Sequence, residues 1–511
     1  MPGRGGGGGP LFAAVDVGTT GARAVAVDLE GTRVCEVRRP YPTSLPRPGW
    51  AEQDGRLWAD NAVAALAGLP ARVRRRVAAV GLTGQSPSVV PVGRSGRPVG
   101  PAMIYRDNRA VAEAAEVTGL LGARALHRLT GHSPEAFHVG PKVLWLRRHR
   151  PDVFARTRWF LQARDVVLTR LTGEVLTDES HAAATALFDL RAHRWAKELF
   201  DALDLDPGLF PPAVPSWIVG GTLRRSLAAT TGLTPGLPVV IGAGDSQCVA
   251  FGAGVVGLGP VSDMSGASTC VNSAVTVPRR DLRITHYAHV VPGWFTTELG
   301  ANTTGASLDW ARSRLGFSSF DQLARAAASG RRALARTAAL AGPKDAAPLF
   351  LPYLGDGERD DPSIRGAVIG LSQRHDRATL AYALVEGVAA GVVAMVGVLH
   401  RAGSPVEELR VSGGGARTAV LGQVKADLLG VPVLHLRVDA SAVGAALLGA
   451  QATEGPDAVA VAIGRIIRDA RRFEPDPAMA AIAANRMAWF SRVRPSPALH
   501  HRHDVADGAE S

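Results

Sequence analysis

Glycine and hydroxyl residues follow an apolar segment near the start of the chain and could hold a phosphate group. The stretch 11–28 reads as an apolar strand, a Gly/Thr turn and a second apolar strand. Gly18 lets the backbone bend close to a ligand, and N–H groups with the hydroxyls of Thr19 and Thr20 can donate to phosphate oxygens. Asp16 lies where Mg²⁺, a hard cation, would need a carboxylate. An ordinary β-hairpin turn has the same composition, so a purely structural role stays open.

A second candidate for chemistry is Asp245, which follows the apolar strand 239–241 and lies between Gly244 and Ser246. In phosphoryl transfer a carboxylate orients the attacking hydroxyl and takes its proton. Asp245 is in a loop suited to that task. The alternative is an aspartate that caps the helix that follows.

Two more glycine-rich turns follow strands later in the chain. The segment 261–275 repeats the strand–turn–strand theme, and a third run lies between the strand 409–411 and a helix predicted over 418–429. A Walker A loop is excluded because none of the four lysines follows a glycine, and the third run lacks the G-x-G-x-x-G spacing. A cleft between two domains would bring all three turns to one nucleotide, with bare glycine backbone against the adenosine.

The remaining composition describes an ordinary globular chain. The 511 residues exceed one core, and strands alternating with helices predict an α/β protein. The formal net charge of +11 comes from scattered residues, which argues against nucleic-acid binding. Three cysteines without metal-ligand spacing indicate a reducing compartment. The start of the chain lacks a signal-peptide core and the longest apolar stretch, 387–399, is too short to span a bilayer. We therefore expect a cytoplasmic protein without a membrane or nucleic-acid partner.

A Gly-rich connector at 252–259 predicts the main domain boundary. The expected organisation is a disordered Gly-rich lead (1–10), an N-terminal domain (11–250), a C-terminal domain (251–455), a helical extension (456–494) and a disordered tail (495–511). The oligomeric state is left open, with a homodimer as the alternative to a monomer.

Taken in order, these motifs resemble the FGGY carbohydrate kinases, and among them most closely the xylulokinases. The resemblance runs from Leu11 to about Ala450. It rests on the shared order and spacing of Asp16–Thr20, Gly140–Leu146, Leu171–Asp178, Gly242–Asp245, Leu351–Arg359, Gly366–Gly387 and Gly413–Arg417.

The resemblance implies a two-domain actin-like (ribonuclease-H-like) fold with an interdomain cleft that binds ATP and Mg²⁺. It implies that a hydroxyl of a small sugar or polyol attacks the γ-phosphate, with Asp245 as general base and Asp16 serving the metal. The residues it assigns to ATP are Gly18, Thr19, Thr20, Arg23, Gly266, Ser268, Thr269, Gly305, Gly413, Gly414, Gly415 and Ala416. The residues it assigns to the acceptor are Gln85, Ser86, Asp107, Asp245 and Ser246. A solvated arginine and a helix-packing glycine remain the alternatives for Arg23 and Gly305.

The chain departs from the xylulokinase pattern on the sugar side. Xylulokinases usually carry Gln-Met-His-Gly where this chain has Gln85-Ser86-Pro87-Ser88, and commonly Asn where it has Ser246. The segment 105–109 keeps the Asp and Arg of a Trp-x-Asp-x-Arg pattern but has lost the Trp. The resemblance keeps D-xylulose as the single best acceptor, and because of these departures other ketoses such as ribulose and four- or five-carbon polyols are the alternatives.

A non-catalytic actin-like protein that binds ATP and regulates is the alternative of another class. The second phosphate turn supports it, since Ala267 replaces the usual Thr. Retention of Asp16 and Asp245 together argues against it, because a protein that only binds ATP needs no general base.

Overall fold

Residues 8–266, 268–341, 347–355, 358, 363–414 and 418–494 are described in a computed structural model of the chain. Gly415 and Ala416 of the predicted adenosine turn, Ala267 of the second phosphate turn, and the tail 495–511 lie outside these residues.

The chain divides into two compact units, and each is assembled from several segments. The first unit comprises residues up to 257 together with 274–297 and 438–468, and the second comprises 258–273, 298–437 and the chain from 469 onward. These units differ from the predicted division into 11–250 and 251–455, because two later segments pack within the first unit. The linear boundaries stay a prediction.

Strands account for most of the apolar segments found in the sequence. Their bounds are β1 Leu11–Val17, β2 Gly21–Asp28, β3 Arg33–Pro40, β4 Glu52–Gln53, β5 Val77–Gly84, β6 Val90–Val92, β7 Ala102–Met103, β8 Trp159–Leu161, β9 Thr177–Asp178, β10 Phe188–Asp189, β11 Arg194–Trp195, β12 Ala213–Val214, β13 Val219–Thr222, β14 Pro238–Gly244, β15 Gly259–Ser265, β16 Thr269–Val275, β17 Thr285–Ala288, β18 Phe295–Ala301, β19 Leu349–Leu351, β20 Ala367–Ile369, β21 Val406–Gly413, β22 Val433–His435 and β23 Arg471–Phe473.

Helices fill the intervals between the strands. Their bounds are α1 Gly55–Ala67, α2 Ala71–Arg74, α3 Val111–Leu121, α4 Ala123–Thr130, α5 Val139–His149, α6 Pro151–Arg156, α7 Ala163–Thr172, α8 Glu179–Ala183, α9 Lys197–Ala202, α10 Arg225–Thr231, α11 Asp245–Gly252, α12 Gly305–Arg314, α13 Phe320–Ala341, α14 Arg377–Arg401, α15 Ala419–Leu429, α16 Ala440–Glu454, α17 Pro456–Arg468 and α18 Ala480–Val493.

The first unit is built on a six-stranded sheet with the order β13-β14-β5-β1-β2-β3. Three of its four inner strands, β14, β5 and β1, run parallel, and β1 is buried along its whole length. That burial follows from the run Leu11–Val15, since a continuous apolar strand suits a sheet covered by helices. Helices α1, α7 and α16 pack against these strands. The α/β prediction is confirmed.

A seven-stranded sheet has the order β17-β18-β16-β15-β21-β22-β23. Strands β15, β21 and β22 run parallel, whereas β15 and β16 form an antiparallel hairpin. The hairpin matches the predicted repeat of the opening motif, because in both sheets an antiparallel pair flanks parallel strands. The helix predicted over 418–429 is confirmed as α15.

Helix α14 is the one helix of the described residues that is long and apolar enough to cross a membrane. Its most apolar window is 83% buried inside the structure. The apolar stretch 387–399 is therefore explained by core packing, as the sequence predicts.

Candidate active site

Three predicted site segments meet at one edge of the six-stranded sheet. The register pairs Val17 of β1 with Gly84 of β5, and Gly84 with Gly244 of β14. Parallel strands that end in register place their following loops side by side, which is where α/β sheets bind ligands. Gln85 and Asp245, each the first residue after its strand, are thus neighbours of the turn that follows Asp16.

The first phosphate turn is anchored by its carbonyl groups. Tyr41 Oη donates to Gly18 O at 2.5 Å, and Gln53 Nε2 donates to Thr19 O at 2.7 Å. Gln85 adds a contact of 3.5 Å to Gly18 O. Among the described residues the hydroxyls of Thr19 and Thr20 have no partner. The Gly18 N–H is used within the turn, where it donates to Gly21 O at 3.1 Å. The two threonine hydroxyls are the donors that fit the predicted phosphate role.

Arg23 joins Asp16 to a residue from the far end of the chain. Its guanidinium contacts Asp16 Oδ2 at 2.7 and 2.8 Å and also pairs with Asp439, the N-cap of α16. Burial opposes the charge of Arg23, but the two carboxylates outweigh it and raise its pKa. Arg23 is therefore not the solvated arginine that the sequence allowed. Its predicted contact with ATP stays a prediction, and its present partners hold Asp16.

The described residues hold no cluster of three or more His, Cys, Asp or Glu side chains arranged for a metal. Mg²⁺ needs no such cluster, since in kinases it is bound by one or two carboxylates together with phosphates and water. Asp16 is 7% exposed at the carboxyl end of β1, and both Arg23 contacts fall on its Oδ2. This single ordered carboxylate next to a phosphate turn fits the predicted ion.

The loop that carries Asp245 depends on a glycine with positive φ. Gly242 has φ of 72°, and a Cβ there would lie 1.6 Å from Leu82 O, so only glycine fits this bulge in β14. Asp245 begins α11, is half-buried, and its Oδ1 accepts the Ser246 N–H at 2.9 Å. The N-cap of α11 is Gly244 and the helix has no side-chain cap, so the alternative that Asp245 caps the helix is wrong. Its role as general base stays a prediction.

Ser180 is a residue that the sequence analysis missed. Its Oγ accepts the N–H of Gly244 at 3.2 Å and donates to Asp178 Oδ2 at 2.5 Å. Asp178 in turn contacts Arg164 at 3.0 Å and His181 at 2.6 Å. The signal available in the sequence was the Asp178-x-Ser180 spacing, which is typical of an N-cap and not specific for a site.

The segment Gln85–Ser88 lies against the same loop. A Cβ on Gly244 would be 3.6 Å from Ser86 Cβ, and Ser86 Oγ lies 3.4 Å from Gln162 Oε1. Gln85 is 1% exposed, and its Oε1 has no partner among the described residues. The structure therefore places two of the predicted acceptor residues beside Asp245.

Asp107 is a different case, because its carboxylate is saturated inside the first unit. It accepts from the Ala51 N–H at 2.7 Å and from Arg109 at 2.6 and 2.8 Å, and it is fully buried. Arg109 is itself stacked 3.5 Å over Trp50. Nearby Lys142 is buried, which lowers its pKa to about 7 although Asp107 partly opposes the shift. These contacts give Asp107 a packing role, and its predicted contact with the acceptor is not supported by its surroundings.

In the second unit, the second phosphate turn and the adenosine turn share a sheet edge. Ser265 of β15 is in register with Gly413 of β21, and Gly266 N–H donates to Ser268 O at 2.9 Å. Gly413 has φ of 88°, and a Cβ there would lie 2.7 Å from Ser265 O. Gly414 follows and is exposed. The parts of both turns that are described lie where the nucleotide prediction needs them.

A buried ion pair supports this edge. Lys425 of α15 contacts Asp263 Oδ2 and lies 3.0 Å from Ser265 Oγ, while Asp263 Oδ1 accepts from Ser265 Oγ and Thr269 Oγ1 at 2.7 and 2.9 Å. Thr269 is fully buried. In this structure the Thr269 hydroxyl donates to Asp263, and its contact with phosphate stays a prediction.

Gly305 starts α12, and its N–H donates to Gly266 O at 3.1 Å. The preceding loop is held by Glu358, which accepts from Asn302 N and Thr303 Oγ1 at 2.5 and 2.8 Å. Gly305 thus lies against the second phosphate turn, and a nucleotide contact remains its predicted role.

Comparison with known proteins covers both units. Residues 11–252 match the sequence model of the N-terminal domain of the FGGY family of carbohydrate kinases, and residues 264–453 match that of its C-terminal domain. The chain is 28% identical over 474 residues to a xylulose kinase of Bacillus subtilis, covering 90% of this chain and 92% of the relative.

Two further similarities concern other relatives. A glycerol kinase of Bordetella parapertussis is 31% identical over 464 residues, which cover 85% of this chain and 87% of the relative. The crystal structure of xylulose kinase from Rhodospirillum rubrum aligns with a TM-score of 0.87 and 31% identity, over 96% of this chain and 99% of that one.

Proposed function

The chain belongs to the FGGY family of carbohydrate kinases, and from this premise we propose that it transfers the γ-phosphate of ATP to a hydroxyl of D-xylulose. The protein is a sugar phosphotransferase with the two-domain actin-like, ribonuclease-H-like fold of its family.

The observation that carries the proposal is the common edge of β1, β5 and β14. It brings together the turn after Asp16, the Gln85–Ser86 segment and Asp245. Phosphoryl transfer needs little covalent help from the protein, and catalysis is mainly positioning and charge neutralisation. A carboxylate beside a hydroxyl-binding segment and a phosphate turn supplies the positioning.

In the proposed reaction, Asp245 accepts the proton of the attacking hydroxyl. The Gly18–Thr20 turn donates to phosphate oxygens with the hydroxyl groups of Thr19 and Thr20. Asp16 would hold Mg²⁺, which neutralises phosphate charge when bound. We place this activity in the cytoplasm, where ATP is available.

The relatives of the chain include kinases for more than one class of acceptor. The xylulose kinases among the relatives support D-xylulose as the acceptor, whereas the glycerol kinase at 31% identity supports a polyol as the alternative. Ribulose and four- or five-carbon polyols are the alternatives, because Ser86, Pro87 and Ser246 depart from the xylulokinase pattern.

The test is ADP release with Mg²⁺-ATP over a panel of ketoses, aldoses and polyols. We expect one acceptor, first of all D-xylulose, to stimulate turnover, and Asp245→Asn to lower that turnover by roughly 10²- to 10⁴-fold, the usual contribution of a general base. ATP affinity, measured by calorimetry, should be unchanged in the variant.

Asp201 is exposed and pairs with Lys197 on the surface. Asp201→Asn is therefore the matched control and should retain the wild-type rate. A wild-type rate in Asp245→Asn would refute the base assignment. Silence of the wild type across the whole panel, with ATP still bound, would favour an actin-like regulator instead.

A further inference from the structure

The loop that carries the proposed base is held from behind by a relay of hydrogen bonds on α8. The Gly244 N–H donates to Ser180 Oγ at 3.2 Å, and Ser180 Oγ donates to Asp178 Oδ2 at 2.5 Å. All three residues are buried. Because Gly244 immediately precedes Asp245, the relay fixes the peptide from which the base projects.

The relay ends at Asp178, a buried carboxylate that stays ionised. Burial works against ionisation of Asp178, but Arg164 and His181 outweigh it and hold the pKa of this carboxyl below its ordinary value. Arg164 also contacts Asp165 at 2.6 Å and Ile241 O of β14 at 2.8 Å. Both oxygens of Asp178 are hydrogen-bonded, and a buried carboxylate bonded in this way is held in place. Arg164 Nε and His181 Nε2 have no partner among the described residues.

The same helix reaches the other proposed acceptor segment. Gln162 Nε2 donates to His181 O at 2.6 Å, while its Oε1 lies 3.3 Å from Ser88 N and 3.4 Å from Ser86 Oγ. Helix α8 therefore contacts the Asp245 loop directly, through Ser180. It is linked to the Ser86 segment indirectly, through the Gln162 side chain that bonds to the His181 carbonyl. Both contacts lie within the first unit.

We propose that Ser180 is a positioning residue that orients Asp245 for proton transfer by holding the Gly244 peptide. The inference rests on the proposed kinase function. Ser180 touches neither reactant and acts through the backbone, so its loss impairs the chemical step without changing how ATP binds.

The molecule supplies a matched control in Ser216. Its Oγ donates to Asp178 Oδ2 at 2.9 Å, the same oxygen that Ser180 uses. Among the described residues the Ser216 hydroxyl makes no hydrogen bond to Gly244. The Ser216 carbonyl, which accepts the Gly242 N–H at 2.9 Å, is unaffected by loss of the hydroxyl. Ser180→Ala and Ser216→Ala thus remove equivalent hydroxyls from one buried carboxylate, and only the first releases the loop.

With the acceptor that stimulates the wild type, Ser180→Ala is expected to lower kcat by roughly 10- to 100-fold, the cost of misplacing a catalytic group by about 1 Å. The KM for ATP should be unchanged. Ser216→Ala should keep the wild-type kcat, and Ser180→Thr, which retains a hydroxyl, should recover most of the loss. Equal kcat values for the two alanine variants, or a loss confined to KM, would overturn the proposal.

Hydrogen exchange of the peptide that spans Gly244 provides a measurement that needs no acceptor. We expect faster exchange at Gly244 in Ser180→Ala than in Ser216→Ala, with equal thermal stability of the rest of the first unit. Unchanged exchange in Ser180→Ala would refute the relay. Failure of the wild type to turn over any acceptor, with this exchange difference present, would refute the kinase function and leave the relay intact.

Discussion

At the scale of single residues, the proposed acceptor segment Gln85–Ser88 differs from the xylulokinase pattern at several positions. Ser86 lies beside Gly244, so the size of residue 86 sets how much room remains next to Asp245. The xylulokinase pattern has Met and His at the positions of Ser86 and Pro87. A smaller side chain there enlarges the space for the acceptor and removes an imidazole that could bond to a sugar hydroxyl.

The double substitution Ser86→Met with Pro87→His tests this segment as the determinant of acceptor choice. We expect the ratio of kcat/KM for D-xylulose to that for a pentitol to rise roughly tenfold, in the range that one pocket contact can supply. The measurement is steady-state kinetics with both acceptors. An unchanged ratio in a variant that still turns over would assign acceptor choice to other residues.

At the scale of elements, helix α15 is tied to the β15–β16 hairpin by a buried charge pair. Lys425 and Asp263 are at most 1% exposed, and Asp263 also holds Ser265 and Thr269 at the start and end of the turn. Removing one partner of a buried pair leaves an uncompensated charge, which costs more than the intact pair contributes. The shape of the second phosphate turn therefore depends on a helix more than 150 residues away in the chain.

Lys425→Met should destabilise the protein by about 3–5 kcal/mol and raise the KM for ATP. Denaturant unfolding and ATP titration measure the two effects. Lys197→Met, which breaks an exposed Lys–Asp pair, is the matched control and should cost about 0–1 kcal/mol.

The double variant Lys425→Met with Asp263→Asn should recover part of the stability, because it leaves no buried charge unpaired. A double variant less stable than Lys425→Met alone would show that the charge pair is not what holds the hairpin.

At the scale of the whole molecule, the return of residues 274–297 to the first unit creates a buried histidine cluster. His286 packs edge-to-face on His127, and His132 Nδ1 lies 3.1 Å from His138 Nε2. Burial, reinforced by His127, Arg279 and Arg191, lowers the pKa of His286 to about 3. Burial likewise lowers the pKa of His289 to about 4. The folded chain therefore keeps the His286 and His289 rings neutral.

This cluster predicts a loss of stability in mild acid. The unfolded chain takes up protons on histidine below about pH 6.5, whereas folded His286 does not until near pH 3. Its contribution is complete above pH 6.5 and falls as the pH decreases, by about 2 kcal/mol at pH 5. Thermal unfolding between pH 8 and pH 5 should show a shallower decline in His286→Asn than in the wild type. The exposed His400→Gln is the control, and an identical decline in both variants and the wild type would contradict the assignment.

Local pattern alone determined the elements and several of the site segments. The strand–turn–strand motif at 11–28 and the loop after β14 follow from apolar runs interrupted by glycine and hydroxyl residues. The family resemblance rests on the same segments in the same order. Such signals are readable because they depend on neighbours within a few positions of each other.

Only the tertiary structure decided which charged and polar groups contact each other. Arg23 pairs with Asp439 across 416 positions, Lys425 with Asp263 across 162, and Ser180 holds Gly244 across 64. It also showed that Thr269 and Asp107, both predicted to contact ligands, are buried and bonded to other residues of the protein. A buried polar group must find a partner, but which partner is set by how distant strands and helices pack. Sequence periodicity carries no information about that choice.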